Sequence, residues 1–188
     1  MSHDLIAAAA APHAALVRAA ADAPLDTPTP CEDWTLRALI GHLRYWTPVL
    51  AATGRREVPV LGADQSGLDL VIGDWAGALD ADREALVAAW SAPSAWEGTV
   101  SMGGPEPLPA AMIGGMVLGE LVVHGADLAR TLDREVTWPA EVLEAAHVAV
   151  AGMAPQGREM GVFGPEVPVA PDAPTLDRVL AVTGRAPV

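Results

Sequence analysis

One charged side chain interrupts a long apolar segment of this sequence, and a histidine follows it four residues later. Between residues 108 and 123, Glu120 is the only Asp, Glu, Lys or Arg. A helix over this segment is apolar on nearly all sides and therefore belongs in the interior of a fold. An unpaired carboxylate there costs on the order of several kcal/mol. Glu120 therefore needs an arginine, a proton or a metal ion beside it.

The spacing between Glu120 and His124 favours the metal ion. Side chains at positions i and i+4 of a helix have Cβ atoms about 5–6 Å apart. A carboxylate and an imidazole at that separation converge on one ion at about 2.0–2.2 Å from each ligand atom. Met112 and Met116 share the same stripe of the helix. We expect the two methionines to pack in the core below the site or to line an apolar pocket.

His42 is the best candidate for a third ligand from a facing helix. It shares a largely apolar helical face with Thr35, Leu39 and Trp46, so its imidazole should point inward. Two histidines and one glutamate, with a fourth position left for water, are typical of a catalytic zinc site. Nickel, iron and manganese stay open because ligand type does not distinguish them. A plain Glu–His polar pair and a hydrogen-bonded core histidine are the competing interpretations.

Asp127 is a candidate to support one of the metal ligands. It follows His124 by three residues. It would either accept a hydrogen bond from the second nitrogen of a ligating imidazole or form a surface pair with Arg130. The residues alone leave these two roles equal.

Cys31 and His13 are the other residues whose types could do chemistry. Cys31 is the only cysteine, and we expect it to pack beside Trp34 rather than to act as a ligand or nucleophile. His13 has no partnering motif, so a surface position or a hydrogen-bonded core position is expected for it.

Hydrophobic periodicity and helix-breaking residues predict the elements that position these side chains. Pro12 should either kink the first helix or mark a later start for it, and Asp33 is a plausible N-cap for the second. A short strand is expected at about residues 99–102. Helices are predicted over about residues 5–22, 34–53, 68–90, 109–132, 138–153 and 174–183.

This pattern predicts an all-α fold. Four amphipathic helices joined by medium-length loops indicate a four-helix bundle with a short C-terminal helical extension. We expect a single domain over residues 1–188, with its core at about 1–135 and the extension at about 136–188.

Charge and composition exclude several classes of partner. The chain has 24 acidic and 11 basic side chains, a formal charge of −13, which repels nucleic acid and anionic membranes. A single cysteine excludes an intrachain disulfide and fits a reducing compartment. Neither a signal-peptide pattern nor an apolar run of roughly 18–20 residues is found. We therefore expect a cytoplasmic protein that binds neither nucleic acid nor membrane; monomer and homodimer both stay open.

Two motifs resemble a known family. The segment 29–37, Thr-Pro-Cys-Glu-Asp-Trp-Thr-Leu-Arg, followed by Gly41-His42-Leu43, resembles the start of the second helix in DinB-like proteins. More narrowly, it resembles the actinobacterial mycothiol-dependent maleylpyruvate isomerase family. The segment 120–130, Glu-Leu-Val-Val-His-Gly-Ala-Asp-Leu-Ala-Arg, is similar to the second motif of that family, with Ala126 where the family often has tryptophan. The tail, 163–187, is similar to a subgroup described only as metal-binding proteins.

The resemblance implies a DinB-like four-helix bundle in which His42, Glu120 and His124 hold a divalent metal ion. It also implies mycothiol as a small thiol cofactor and an electrophilic small molecule as substrate. A metal ion lowers the pKa of a thiol, and the thiolate would attack the electrophile, giving S-transfer or isomerisation. The isomerase has a larger C-terminal domain that contributes to its active site. Residues 136–188 are too short to supply it, so maleylpyruvate itself is not the expected substrate.

Two other functions stay open at the level of the sequence. Metal-dependent hydrolysis would use a metal-bound water and a general base, for which Asp127 is the only nearby acid. A non-catalytic metal-binding or sensing protein would enclose its ion, and chelation would unfold it.

Overall fold

The computed structural model describes residues 2–31, 33–59, 61 and 67–187. A 3-10 turn at Ser2–Leu5 leads into the first helix, and another, Pro93–Trp96, follows the fourth. Two short strands, β1 (Thr99–Val100) and β2 (Leu108–Pro109), pair antiparallel before the fifth helix. The helices are α1 (Ile6–Ala10), α2 (His13–Ala21), α3 (Leu36–Gly54), α4 (Trp75–Trp90), α5 (Ala110–Thr131), α6 (Ala140–Glu159) and α7 (Thr175–Val182). The predicted all-α class is confirmed.

The first helix of the bundle is broken at Pro12. α1 ends at Ala10 and α2 begins at His13, because proline lacks the N–H that a continuous helix would use. Together α1 and α2 form one bent arm, which packs against α4 and α5. α3 lies along α4 and also contacts α5, which completes a four-helix bundle. α6 packs on α5, and α7 packs on α6, so the C-terminal extension is helical as predicted.

α5 is the central helix of the fold. From Val117 to Ala129 every residue except Glu120 is buried. One core cluster joins α1, α5 and α6, and a second joins α2, α3 and the C-terminal end of α5. Among the described residues α5 is also the one helix long and apolar enough to cross a membrane, but 78% of its apolar window is buried inside the fold. Its apolar character is therefore explained by its place in the core.

The starts of two helices differ from the sequence-based predictions. Thr35, not Asp33, caps α3: the Thr35 side chain accepts a hydrogen bond from the N–H of Ala38. Asp33 has a φ of 65° and lies in the tight turn before the cap. The third helix begins at Trp75 rather than at residue 68, because the Asp74 side chain provides a cap.

Other predictions need correction or concern residues that the structure does not describe. Met112 is 36% exposed near the start of α5, so its expected core position is wrong, whereas Met116 is half-buried against the core. α6 continues to Glu159, past its predicted end, because Ala154 is still buried in the core. Glu32 of the first motif, and residues 60 and 62–66 of the loop between α3 and α4, lie outside the described residues.

The C-terminal ends of α3 and α4 meet at a very short distance. Trp90 is fully buried, and its Nε1 donates a hydrogen bond to the carbonyl of Leu50 at 2.8 Å. A Cβ on Gly54 would lie 2.7 Å from Trp90 Nε1, well inside contact distance. Gly41 lies in the same helix, and a Cβ there would meet nothing within 4 Å.

These two glycines provide a matched test of the helix packing. Gly54→Ala should lower the free energy of unfolding by about 1–3 kcal/mol, because the buried indole has no room to move. Gly41→Ala should raise it by about 0.5–1 kcal/mol, because alanine restricts the unfolded chain and favours helix. Urea unfolding of both variants measures the difference. Equal stability of Gly54→Ala and the wild type would contradict this packing.

Candidate metal centre

The three predicted ligands come together between two helices. α3 supplies His42, and α5 supplies Glu120 and His124 one turn apart. His42 Nε2 lies 3.3 Å from Glu120 Oε2, and His124 Nε2 lies 3.4 Å from the same oxygen. One ligand atom from each of the three residues lies within 4.8 Å of the others. Their side chains are 15%, 29% and 8% exposed, in the order His42, Glu120, His124, so the site is open at one side.

The distances from Glu120 Oε2 to the two imidazole nitrogens also suit a bound ion. A charge-assisted N–H···O bond is about 2.7–2.9 Å long, and both contacts to Glu120 Oε2 exceed that. Around a tetrahedral ion with bonds of about 2.0–2.1 Å, neighbouring ligand atoms are about 3.3–3.4 Å apart. Both contacts have that length, and two imidazoles with one carboxylate are a donor set that zinc accepts. The residues present therefore fit a divalent metal ion.

Glu120 and His124 form an ion pair in the metal-free chain. Burial opposes the charge of Glu120, but the charge of His124 and the hydrogen bond from His42 lower its pKa to about 2. Burial also opposes the charge of His124, but Glu120 and the hydrogen bond to Asp127 raise its pKa to about 10. At neutral pH a carboxylate thus faces an imidazolium. A metal ion that binds His124 must displace that proton.

Asp127 holds His124 from behind. The Nδ1 of His124 donates a hydrogen bond to Asp127 Oδ2 at 2.9 Å, and Asp127 is only 1% exposed. This contact orients the ring so that Nε2 faces Glu120. The alternative of a surface pair with Arg130 is wrong, since Arg130 donates instead to the carbonyl of Ala186 at 2.7 Å.

The cation beside Asp127 is Arg185, in the C-terminal tail. Its Nε donates to Asp127 Oδ1 at 2.9 Å and its Nη2 to Oδ2 at 2.9 Å. Burial opposes the charge of Asp127, but the bonds from His124 and Arg185 hold the pKa of its carboxyl well below the usual range. No role for Arg185 was predicted from the sequence. The buried aspartate was a signal that a cation was needed, but the partner lies 58 positions away.

Cys31 also belongs to this polar cluster. Its Sγ donates to Asp127 Oδ2 at 3.1 Å and accepts from Arg185 Nη2 at 3.0 Å. A ligand atom of Cys31, one of His124 and one of Asp127 also lie within 4.8 Å of one another. Because the guanidinium of Arg185 already contacts both the thiol and the carboxylate, this second group is occupied by a positive charge.

A cleft opens beside His42. It has a volume of about 530 Å³ and is lined by Trp34, Gly41, His42 and residues 67–71, among others. The Trp34 ring lies 5.0 Å from the His42 ring and 6.3 Å from the His124 ring, between centroids. A volume of a few hundred cubic ångströms suits a small molecule. Ala126, where the sequence departs from the family motif, packs in the core and not along this cleft.

Fold and site define the class of protein: an all-α DinB-like bundle with a candidate divalent-metal centre of two histidines and one glutamate. The model of the mycothiol maleylpyruvate isomerase N-terminal domain family matches residues 6–129. The chain therefore belongs to that family, as the sequence motifs predicted. The matched region includes His42, Glu120, His124 and Asp127, whereas Arg185 lies beyond it. No curated protein and no solved structure gives a significant match.

His13 is a buried histidine next to the centre. It is 5% exposed, and its Nε2 donates to the carbonyl of Leu121 at 2.6 Å, so the expected hydrogen-bonded core position is correct. Burial, together with the charges of His124 and Arg83, outweighs that hydrogen bond and lowers the pKa of His13 to about 4.

The neutral state of His13 predicts a pH dependence of stability. In the unfolded chain the pKa of His13 is 6.5, so between about pH 6.5 and pH 4 the unfolded state binds a proton that the folded state does not. This should remove about 3 kcal/mol of stability across that window. His13→Gln keeps a donor for the Leu121 carbonyl but cannot titrate. Urea unfolding from pH 7.5 to 4.5 should therefore show a shallower loss for the variant, and parallel curves would contradict the prediction.

Proposed function

We propose that this protein binds one divalent metal ion, zinc in the first instance, and acts as a thiol-dependent transferase or isomerase. The ligands would be His42, Glu120 and His124. The observation that carries the proposal is the convergence of one ligand atom from each of these residues within 4.8 Å, next to a cleft that is lined by His42. Membership of the mycothiol-related family supports a small thiol, mycothiol, and an electrophilic substrate as partners. Nickel, iron or manganese would use the same ligands.

A divalent ion in this position lowers the pKa of a bound thiol and favours the thiolate at neutral pH. The residues of the chain would orient the metal ligands and bind the thiol and the electrophile. Asp127 keeps the His124 ring oriented, and the exposed edge of Glu120 leaves room for an incoming sulfur. The cleft beside His42 would hold the remainder of the thiol and the electrophile, with Trp34 as an apolar wall.

The charges of the site favour an anion as the fourth ligand. Histidines that bind metal are neutral, so the centre would combine a dication and the positive Arg185 with the negative Glu120 and Asp127. That sum is one positive charge. A thiolate would bring the buried cluster to neutrality, which low-dielectric surroundings favour.

Hydrolysis and a purely structural metal have less support. The base considered for hydrolysis was Asp127, but its oxygens are already engaged by His124, Arg185 and Cys31. A structural ion would be enclosed, whereas the Glu120 side chain is 29% exposed.

We also propose that residues 1–188 work as one domain in the cytoplasm, with residues 136–188 completing the core around α5. The support is that α6 shares a hydrophobic cluster with α5. A reducing compartment would keep the Cys31 thiol free.

Metal content tests the ligand set directly. The purified wild type, supplied with metal at neutral pH, should contain about one zinc or similar ion per chain by elemental mass spectrometry. His124→Ala should lose it, because two remaining ligands hold an ion weakly. His147→Ala removes a half-buried histidine of α6 away from the centre and should keep the ion. A wild type that stays empty would show that the ligand assignment is wrong.

Thiol binding tests the reaction class. Adding mycothiol or a small thiol to the cobalt-substituted protein should produce a thiolate-to-cobalt charge-transfer band, and chelation should leave the helical circular dichroism intact. His124→Ala, treated alike, should give no band. A cobalt protein without a thiol-dependent band would argue for hydrolysis, and unfolding on chelation would argue for a structural ion.

A further inference from the structure

The C-terminal tail is fastened onto the back of the candidate metal centre. After α7 the chain turns at Gly184, which has a φ of 87° and comes so close to Gly164 that a Cβ would lie 2.7 Å from Gly164 Cα. This turn delivers Arg185 to Asp127. The tail is held on both sides of Arg185: Arg158 donates to the Val182 carbonyl at 2.9 Å, and Arg130 donates to the Ala186 carbonyl.

The contact between Arg185 and Asp127 is geometrically specific. Two nitrogens of the guanidinium reach the two oxygens of one carboxylate, a paired arrangement that fixes the plane of the carboxylate as well as its charge. Arg185 is itself 12% exposed and Asp127 1% exposed. Removing the guanidinium would leave a buried aspartate with the His124 imidazole and the Cys31 thiol beside it but without its arginine. That carboxylate would then turn or take up a proton.

Asp127 in turn determines how His124 is presented. Its Oδ2 accepts from His124 Nδ1, and this fixes Nε2 as the nitrogen that faces Glu120. Removing a residue that hydrogen-bonds to a metal ligand lowers metal affinity by about 10–100-fold. A change in Arg185 therefore reaches the ligand atom through two hydrogen-bonded steps.

We propose that Arg185 is a positioning residue for the metal centre: it locks Asp127, which orients His124 as a ligand. This inference rests on the metal site proposed above. It means that a residue outside the matched family domain, supplied by the C-terminal extension, completes the centre. The extension would then serve the site as well as the core.

Zinc affinity, measured by competition with a chromophoric chelator, tests the role of Arg185. Arg185→Gln should weaken zinc binding by about 10–100-fold. Arg185→Lys keeps the charge but not the paired geometry, so its zinc affinity should lie between those of Arg185→Gln and the wild type. Arg130→Gln is the matched control, because it removes a tail contact without touching Asp127. It should bind zinc like the wild type. Circular dichroism with chelator present establishes that each variant is folded.

Two further readouts separate positioning from general destabilisation. In the zinc-loaded wild type, ¹⁵N-edited NMR should show a downfield His124 Nδ1 proton bonded to Asp127, and Arg185→Gln should shift or broaden it. In an Asp127→Asn background, Arg185→Gln should weaken zinc binding much less, because the two residues act in series.

The outcomes distinguish this inference from the proposed function. Wild-type zinc affinity and an unchanged His124 signal in folded Arg185→Gln would overturn the role of Arg185 while leaving the metal site intact. Equal losses in Arg185→Gln and Arg130→Gln would also overturn it, because the tail would then act only through stability. A wild type that binds no zinc would overturn the proposed function, and this inference with it.

Discussion

The structure depends on the cost of placing charge inside the central helix. α5 is buried over most of its length, yet it carries Glu120, His124 and Asp127 on its inner turns. Each charge is balanced by the next: Glu120 by His124, His124 by Asp127, and Asp127 by Arg185. Any one of these groups left alone in the core would be strongly destabilising. The alternating row of charges therefore constrains what must surround α5.

The elements around α5 each meet one part of this requirement. α3 brings His42 to the open end of the row, where the Glu120 side chain is 29% exposed. The tail after α7 brings Arg185 to the closed end. The bent arm of α1 and α2 covers the remaining side, with His13 bonded to the backbone of α5. One end of the row is thus partly exposed to solvent, and the other end is covered by the protein itself.

Much of the fold could be read from local patterns. The apolar composition of α5, the helical period around His42 and the proline break at Pro12 all act within a few residues, and each predicted its element. Helix starts were less accurate, because Thr35 and Asp33 are both acceptable caps by residue type. The choice depends on backbone conformation: Asp33 takes a left-handed turn, and Thr35 keeps the extended geometry that a cap needs.

The sequence by itself was enough to select the three residues of the candidate metal centre. The i, i+4 spacing on an apolar helix forces Glu120 and His124 to one side, and the apolar face around His42 directs its imidazole inward. It also determined the family, through two motifs that lie within the matched region except for Arg130. Only the tertiary structure decided what surrounds His124. The partners of Asp127 are Cys31 and Arg185, which lie 96 and 58 positions away. No local spacing rule joins such residues, since their meeting depends on how the tail packs against α5 and α6.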